Sequence, residues 1–162
     1  MIVVKVGGSL YGRPQLGSEL RGFLDSLPEP VLLVPGGGSF ADAIRAFDRL
    51  HHLGEECCHW LALEAMNLGG AFLRSLGITA PMLDALAFCR EHDELPHTWD
   101  ATSDSVAAFA ARVHGASRLI LLKSVAIPPG TSWEEAAAHG WVDPCFPRFA
   151  TGRPIDAVAF GA

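Results

Sequence analysis

Lys5 interrupts a nearly continuous apolar run, Ile2-Val3-Val4-Lys5-Val6, and is followed at once by Gly7-Gly8-Ser9. An ammonium group is costly to bury without a counter-charge, so Lys5 is expected near the end of its strand, directed at an anion. Gly7 and Gly8 have no Cβ, so their amides can approach a ligand closely, and Ser9 adds a hydroxyl donor. Phosphate suits such a loop. A second glycine loop, Pro35-Gly36-Gly37-Gly38-Ser39, follows a second apolar run and lets a ligand rest on bare backbone, with Ser39 available to cap the next helix. Further on, Leu119-Ile120-Leu121-Leu122 leads into Lys123-Ser124, so a lysine again closes an apolar run beside a hydroxyl. Taken singly, each feature is equally a lysine snorkelling beside an ordinary turn. Their repetition points to a site that handles several negative charges.

Asp104 completes the set. It follows a hydroxyl-rich run ending in Thr102-Ser103, where Ser103 is expected to cap a helix and Asp104 to sit in its first turn. A carboxylate there favours the positive end of the helix dipole, which is sufficient reason for it. The functional alternative is a carboxylate projecting into the crevice to orient a lysine or help hold magnesium.

The elements that would position these residues alternate between strand and helix. Apolar spacing predicts a helix over 14–27, a strand over 31–34, a helix from about 39 to 50 and a long helix over 55–76. Within that long helix, Gly69-Gly70 allows either a kink or close packing. Leu86-Ala87-Phe88 reads as a short strand, 106–113 as helix, 119–122 as a buried strand, 133–139 as a helix capped by Ser132, and 155–160 as a last strand. The expected fold is α/β, a three-layer αβα sandwich with a mostly parallel central sheet and right-handed crossovers, forming one domain over 1–162. Two glycine loops at neighbouring strand ends then face one crevice, where open α/β sheets bind ligands.

A formal net charge of -6 argues against a nucleic-acid or anionic-membrane surface, while leaving room for a local basic pocket. No apolar run reaches ~20 residues and no basic-then-apolar leader opens the chain, so a cytoplasmic protein is expected. Cys57, Cys58, Cys89 and Cys145 show no disulfide framework. His51-His52 and Cys57-Cys58-His59 have zinc-type side chains, but adjacent pairs do not match ligand spacing, so no metal centre is assigned. They read instead as a helix interface or pocket wall, with Trp60 and Asn67 as further candidates. Trp133, Trp141, Phe146 and Phe149 are either core or part of a subunit interface.

Three motifs in order, Val4-Lys5-Val6-Gly7-Gly8-Ser9-Leu10, Val34-Pro35-Gly36-Gly37-Gly38-Ser39-Phe40 and Thr102-Ser103-Asp104-Ser105-Val106 followed by Leu121-Leu122-Lys123-Ser124, resemble the amino acid kinase superfamily, the acetylglutamate and uridylate kinase fold. The short length and Leu-Leu-Lys-Ser ending are similar to the branch that makes the diphosphate of aminomethyl-furanmethanol phosphate in methanofuran biosynthesis. The resemblance implies an ATP- and Mg²⁺-dependent phosphotransferase acting on a small anionic acceptor, which can itself bear phosphate, in tetrahydromethanopterin- and methanofuran-linked one-carbon metabolism. A homo-oligomer is expected as well. Carried onto this chain, the resemblance implies that Lys5 contacts the transferring phosphoryl group and that Asp104 holds the lysines, with Lys123 at the second strand end. Gly7, Gly8, Ser9 and Ser124 would meet the donor phosphates, and Gly36, Gly37, Gly38, Thr102 and Ser103 the acceptor. Two departures stand out. Ala126-Ile127-Pro128-Pro129-Gly130 replaces the usual Asp-Gly-Val and adenine-pocket segment, and the histidine of the isopentenyl phosphate kinase branch is Asp42 here. A non-catalytic phosphate-binding module without the adenine half is the alternative.

Overall fold

β-branched residues fill the first strand, β1 (Ile2–Val6), and every one of its positions is buried, as a central strand covered on both faces requires. A computed structural model describes residues 1–161 of the chain. β1 pairs in parallel with β2 (Val31–Pro35) on one side and β3 (Arg118–Lys123) on the other, and β4 (Ile155–Ala159) pairs in parallel with β3. The four-stranded order is β2-β1-β3-β4. The chain therefore leaves β1 toward β2 and later returns to the opposite side of β1, which creates a switch point between β1 and β3 at their C-terminal ends.

Alternation along the strands feeds two cores. Ile2, Val4 and Val6 join Leu33, Ile120 and Leu122 on the face covered by α1 (Leu16–Asp25) through Leu16 and Leu20. Val3, Leu119 and Leu121 face the other way, against α3 (Glu55–Ser75), α4 (Ala85–Glu91), α5 (Ser103–Val113), α6 (Trp133–Ala138) and α7 (Phe146–Phe149). The remaining helix, α2 (Gly38–His51), packs on α3. Strand parity puts Lys5 on the α5 face with Val3, and Lys123 there with Leu119 and Leu121. Because Lys5 is level with Leu121, the two lysines lie one step apart on adjacent strands of the same face.

The expected α/β sandwich is observed, with corrections at three places. Leu86-Ala87-Phe88 is not a strand but the interior of α4: the Asp84 carboxylate caps it by accepting from the Ala87 amide at 2.9 Å, and Asn67 braces that cap from α3. The nearby chain meets the sheet only through the bridge between Met82 and Leu33. Ser39 does not cap α2, which begins one residue earlier at Gly38, where φ is +52°. Ser103 is likewise the first residue inside α5 rather than its cap, the N-cap being Thr102. Ser132 does form a capping box with Glu135. Phe146 and Phe149 are core residues, while Trp133 and Trp141 pack half-buried against that core.

Gly69 allows close packing, and α3 runs through it unbroken. A Cβ added there would lie 2.5 Å from the Gly36 carbonyl oxygen and 2.6 Å from the Tyr11 hydroxyl. Gly69→Ala is expected to cost about 1–3 kcal/mol in urea unfolding. Gly22→Ala in α1, where an added Cβ meets nothing within 4 Å, is expected to gain roughly 0.5–1 kcal/mol. Equal effects at the two positions would contradict the packing described here.

Candidate active site

The two lysines meet one carboxylate. Asp104 enters from the first turn of α5, its Oδ2 accepting a hydrogen bond from Lys123 Nζ at 2.7 Å and its Oδ1 lying 2.8 Å from Lys5 Nζ. The Lys123 contact is aligned as a hydrogen bond, whereas the Lys5 contact is a close ion pair off that line. Lys5 and Asp104 are about 95% buried, and the Lys123 side chain is nearly so. Burial alone would raise the Asp104 pKa, but the two ammonium groups outweigh it and hold the carboxyl below its usual range. Burial, and then the Lys5 charge, lower the Lys123 pKa against the opposing pull of Asp104. Two cations on one carboxylate leave a positive charge in excess. These are the only two lysines in the sequence, the rest of its 12 lysines and arginines being arginines.

A cavity of about 490 Å³ opens over this cluster. Its walls include Lys5, Lys123, Gly7, Gly8, Ser9, Gly37, Gly38, Thr102 and Ser103, so most of the residues singled out in the sequence border one space. Asp104 lies beneath it. The amides of Gly7 and Gly36 are engaged elsewhere, donating to Leu122 O at 2.9 Å and Val6 O at 2.8 Å, where they extend the sheet ladders past the strand ends. Gly38 and Ser39, as the first residues of α2, have no intrahelical acceptor for their amides and border the cavity directly. The two glycine loops touch: a Cβ on Gly8 would fall 2.2 Å from the Gly38 nitrogen. Ser9 Oγ and Ser124 Oγ are 2.9 Å apart, linking the loops after β1 and β3.

Sequence reasoning missed four contributing residues, Tyr11, Asp143, Arg45 and Trp99. Tyr11, the single tyrosine, donates its hydroxyl to the Gly36 carbonyl at 2.6 Å and packs against Phe72 with the ring planes tilted by 54°, tying both loops to α3. Burial, only partly offset by that hydrogen bond, raises its pKa well above the usual phenol value. Asp143, from the segment between α6 and α7, accepts from the Thr102 amide at 2.9 Å, the Thr102 hydroxyl at 2.8 Å and the Ser105 amide at 3.0 Å, and also from the Ser105 hydroxyl. It thereby caps α5 from about 40 residues away, which no local pattern reveals, and fixes the turn that carries Asp104. Arg45 and Trp99 close the outer wall, the guanidinium lying 4.2 Å from the ring centroid and bonded to Asp42 at 2.8 Å.

Of the histidine and cysteine candidates, only His59 borders the cavity. His51 and His52 are exposed at the end of α2, and Asn67 braces α4. All four cysteines are free thiols, and burial raises the Cys89 pKa to about 12. No group of three or more possible metal ligands occurs among the described residues.

This fold is the one that the three ordered motifs imply by their resemblance to the amino acid kinase superfamily. The chain is similar to the 5-(aminomethyl)furan-3-yl methyl phosphate kinase of Methanocaldococcus jannaschii, with 26% identity over 143 residues covering 77% of this chain. The match spans 66% of that protein's length, just under two thirds. The fold matches the crystal structure of uridylate kinase from Archaeoglobus fulgidus with a TM-score of 0.61 at 19% identity, covering 91% of this chain and 84% of that one. No established family profile matches the chain.

Asp104→Asn would leave two buried ammonium groups facing each other without a counter-charge. Its expected cost in urea unfolding is about 3–5 kcal/mol, the range for breaking a buried ion pair. A loss no larger than the about 1 kcal/mol of an exposed pair would contradict the buried arrangement.

Proposed function

We propose that the chain is an ATP-dependent phosphotransferase that passes a phosphoryl group to a small anionic acceptor in tetrahydromethanopterin- and methanofuran-linked cofactor synthesis. The observation that carries this reading is the convergence of Lys5, Asp104 and Lys123 beneath one cavity bordered by both glycine loops. The relative's name gives the substrate class its support.

The residues present fit a polyphosphate. Gly8 and Gly38 approach too closely to admit a Cβ, the leading amides of α2 are unspent, and the lysine pair carries surplus positive charge. In this reading Gly8, Ser9 and Ser124 hold the donor side, and Gly37, Gly38, Thr102 and Ser103 the acceptor side. ATP supplies the transferring phosphoryl group, and Mg²⁺, held chiefly by phosphate oxygens and water, screens it. Asp42 is paired with Arg45 and Asp104 with the lysines, so these carboxylates orient cations rather than bind the metal directly.

Lys5 and Lys123 stand where the transferring oxygens accumulate charge, and Asp104 keeps both ammonium groups in place beforehand. Asp104 cannot also serve as a general base, since its pKa lies below the usual range and both lysines occupy it. An acceptor oxygen that arrives already ionised suits a lysine cluster whose own carboxylate cannot take a proton. A phosphate or carboxylate acceptor arrives in that form: its oxygen forms the new bond to phosphorus while the bond to the leaving diphosphate breaks, with no proton to remove. The four free thiols accord with a reducing, cytoplasmic compartment. Exposed Phe47, Leu50 and Leu68 on α2 and α3 suit contact between subunits of a homo-oligomer.

Lys5→Ala is expected to lower kcat by about 10²–10³-fold, the scale of losing one preorganised charge-stabilising group, in an ATP and Mg²⁺ assay with 5-(aminomethyl)furan-3-yl methyl phosphate as acceptor. Undiminished turnover by the folded variant would refute the assigned role.

A further inference from the structure

His59 is about 94% buried, yet it forms part of the cavity wall. None of the hydrogen bonds among the described residues involves its ring, and neither ring nitrogen is fully sealed from solvent. Buried polar groups are ordinarily paired, so a largely buried ring with no protein partner leaves a nitrogen free for water or for a ligand atom.

The ring is also held in orientation. It stacks on His97 with centroids 4.3 Å apart and planes 18° from parallel, and Trp60 meets both rings edge-on. Both nitrogens of His97 are engaged by carboxylates, Nδ1 by Glu56 at 2.5 Å and Nε2 by Asp93 at 2.7 Å, so His97 is the imidazolium. These hydrogen bonds raise the His97 pKa. Burial, and then the His97 charge, lower that of His59 and keep it neutral. A neutral imidazole offers one nitrogen as acceptor. Around it Glu56 and Asp93 outnumber the His97 cation, while Arg90 lies over the Trp60 ring at 5.7 Å. This end of the cavity therefore contrasts with the lysine end, and Ala62, Leu63, Met66 and Val106 supply apolar wall.

We propose that His59 is a specificity-determining residue that accepts a hydrogen bond from a donor group, an ammonium or hydroxyl, on the part of the acceptor remote from its anionic end. The acceptor is then bipolar, with an anion at the lysines, an apolar body and a hydrogen-bond donor at His59. This rests on the anionic-acceptor reading above.

The test is calorimetric binding without ATP, so its result is independent of turnover. Two probes are compared, 5-(aminomethyl)furan-3-yl methyl phosphate and the 5-methyl analogue that lacks the amine. The wild-type chain is expected to bind the amine at least about tenfold more tightly, the scale of one charge-assisted hydrogen bond. His59→Phe, which keeps an aromatic ring on His97, should bring the ratio to within about twofold of unity, chiefly by weakening the amine. His59→Gln, which retains an acceptor, should recover part of it. A ratio unchanged in His59→Phe, or a wild-type chain that binds neither probe or both alike, overturns the proposal.

Discussion

Placing Asp104 between Lys5 and Lys123 takes three charges out of water together, at a desolvation cost that their mutual attraction offsets only when the geometry is closely fixed. Most of the remaining architecture follows from that requirement. Parallel register sets the lysines on one face, one step apart, and α5 must then present its first turn at that point. The arrangement also ends with an unbalanced positive charge. A phosphate-type anion in the cavity above would complete the balance, so structural need and proposed chemistry coincide at the same atoms.

The segment after β3 acquires a role that its departure from the superfamily pattern conceals. Asp143 reaches back from it to fix the start of α5, and β4 completes the sheet beside β3. Part of the site's precision thus depends on chain well outside the glycine loops. Tyr11 plays the corresponding part on the other side, bolting the first loop to the second and both to α3.

Much of this was legible in sequence because the relevant signals are local. Apolar runs ending in lysine, and glycine clusters directly after them, specify strand ends and loops whatever the tertiary context, and the parity of Lys5 and Lys123 sets their common face. What escaped notice was long-range or ambiguous. Leu86-Ala87-Phe88 reads equally as strand or helix, and Asn67 with Asp84 decides in favour of helix from outside the tripeptide. Ser39 and Ser103 have capping chemistry but sit one residue inside their helices, a displacement that composition does not encode. The cap supplied by Asp143 and the stack of His59 on His97 join residues about 40 positions apart. A compositional signal was available and unused: a chain with twelve lysines and arginines has only two lysines, and both lie at the site.

That scarcity makes the central claim directly measurable. With ¹⁵N-labelled lysine, the only side-chain ammonium signals arise from Lys5 and Lys123. On titration with ATP and Mg²⁺, both signals should shift together and saturate at one nucleotide per chain. If neither signal moves at concentrations that saturate related kinases, the lysine pair does not receive phosphate and the account fails.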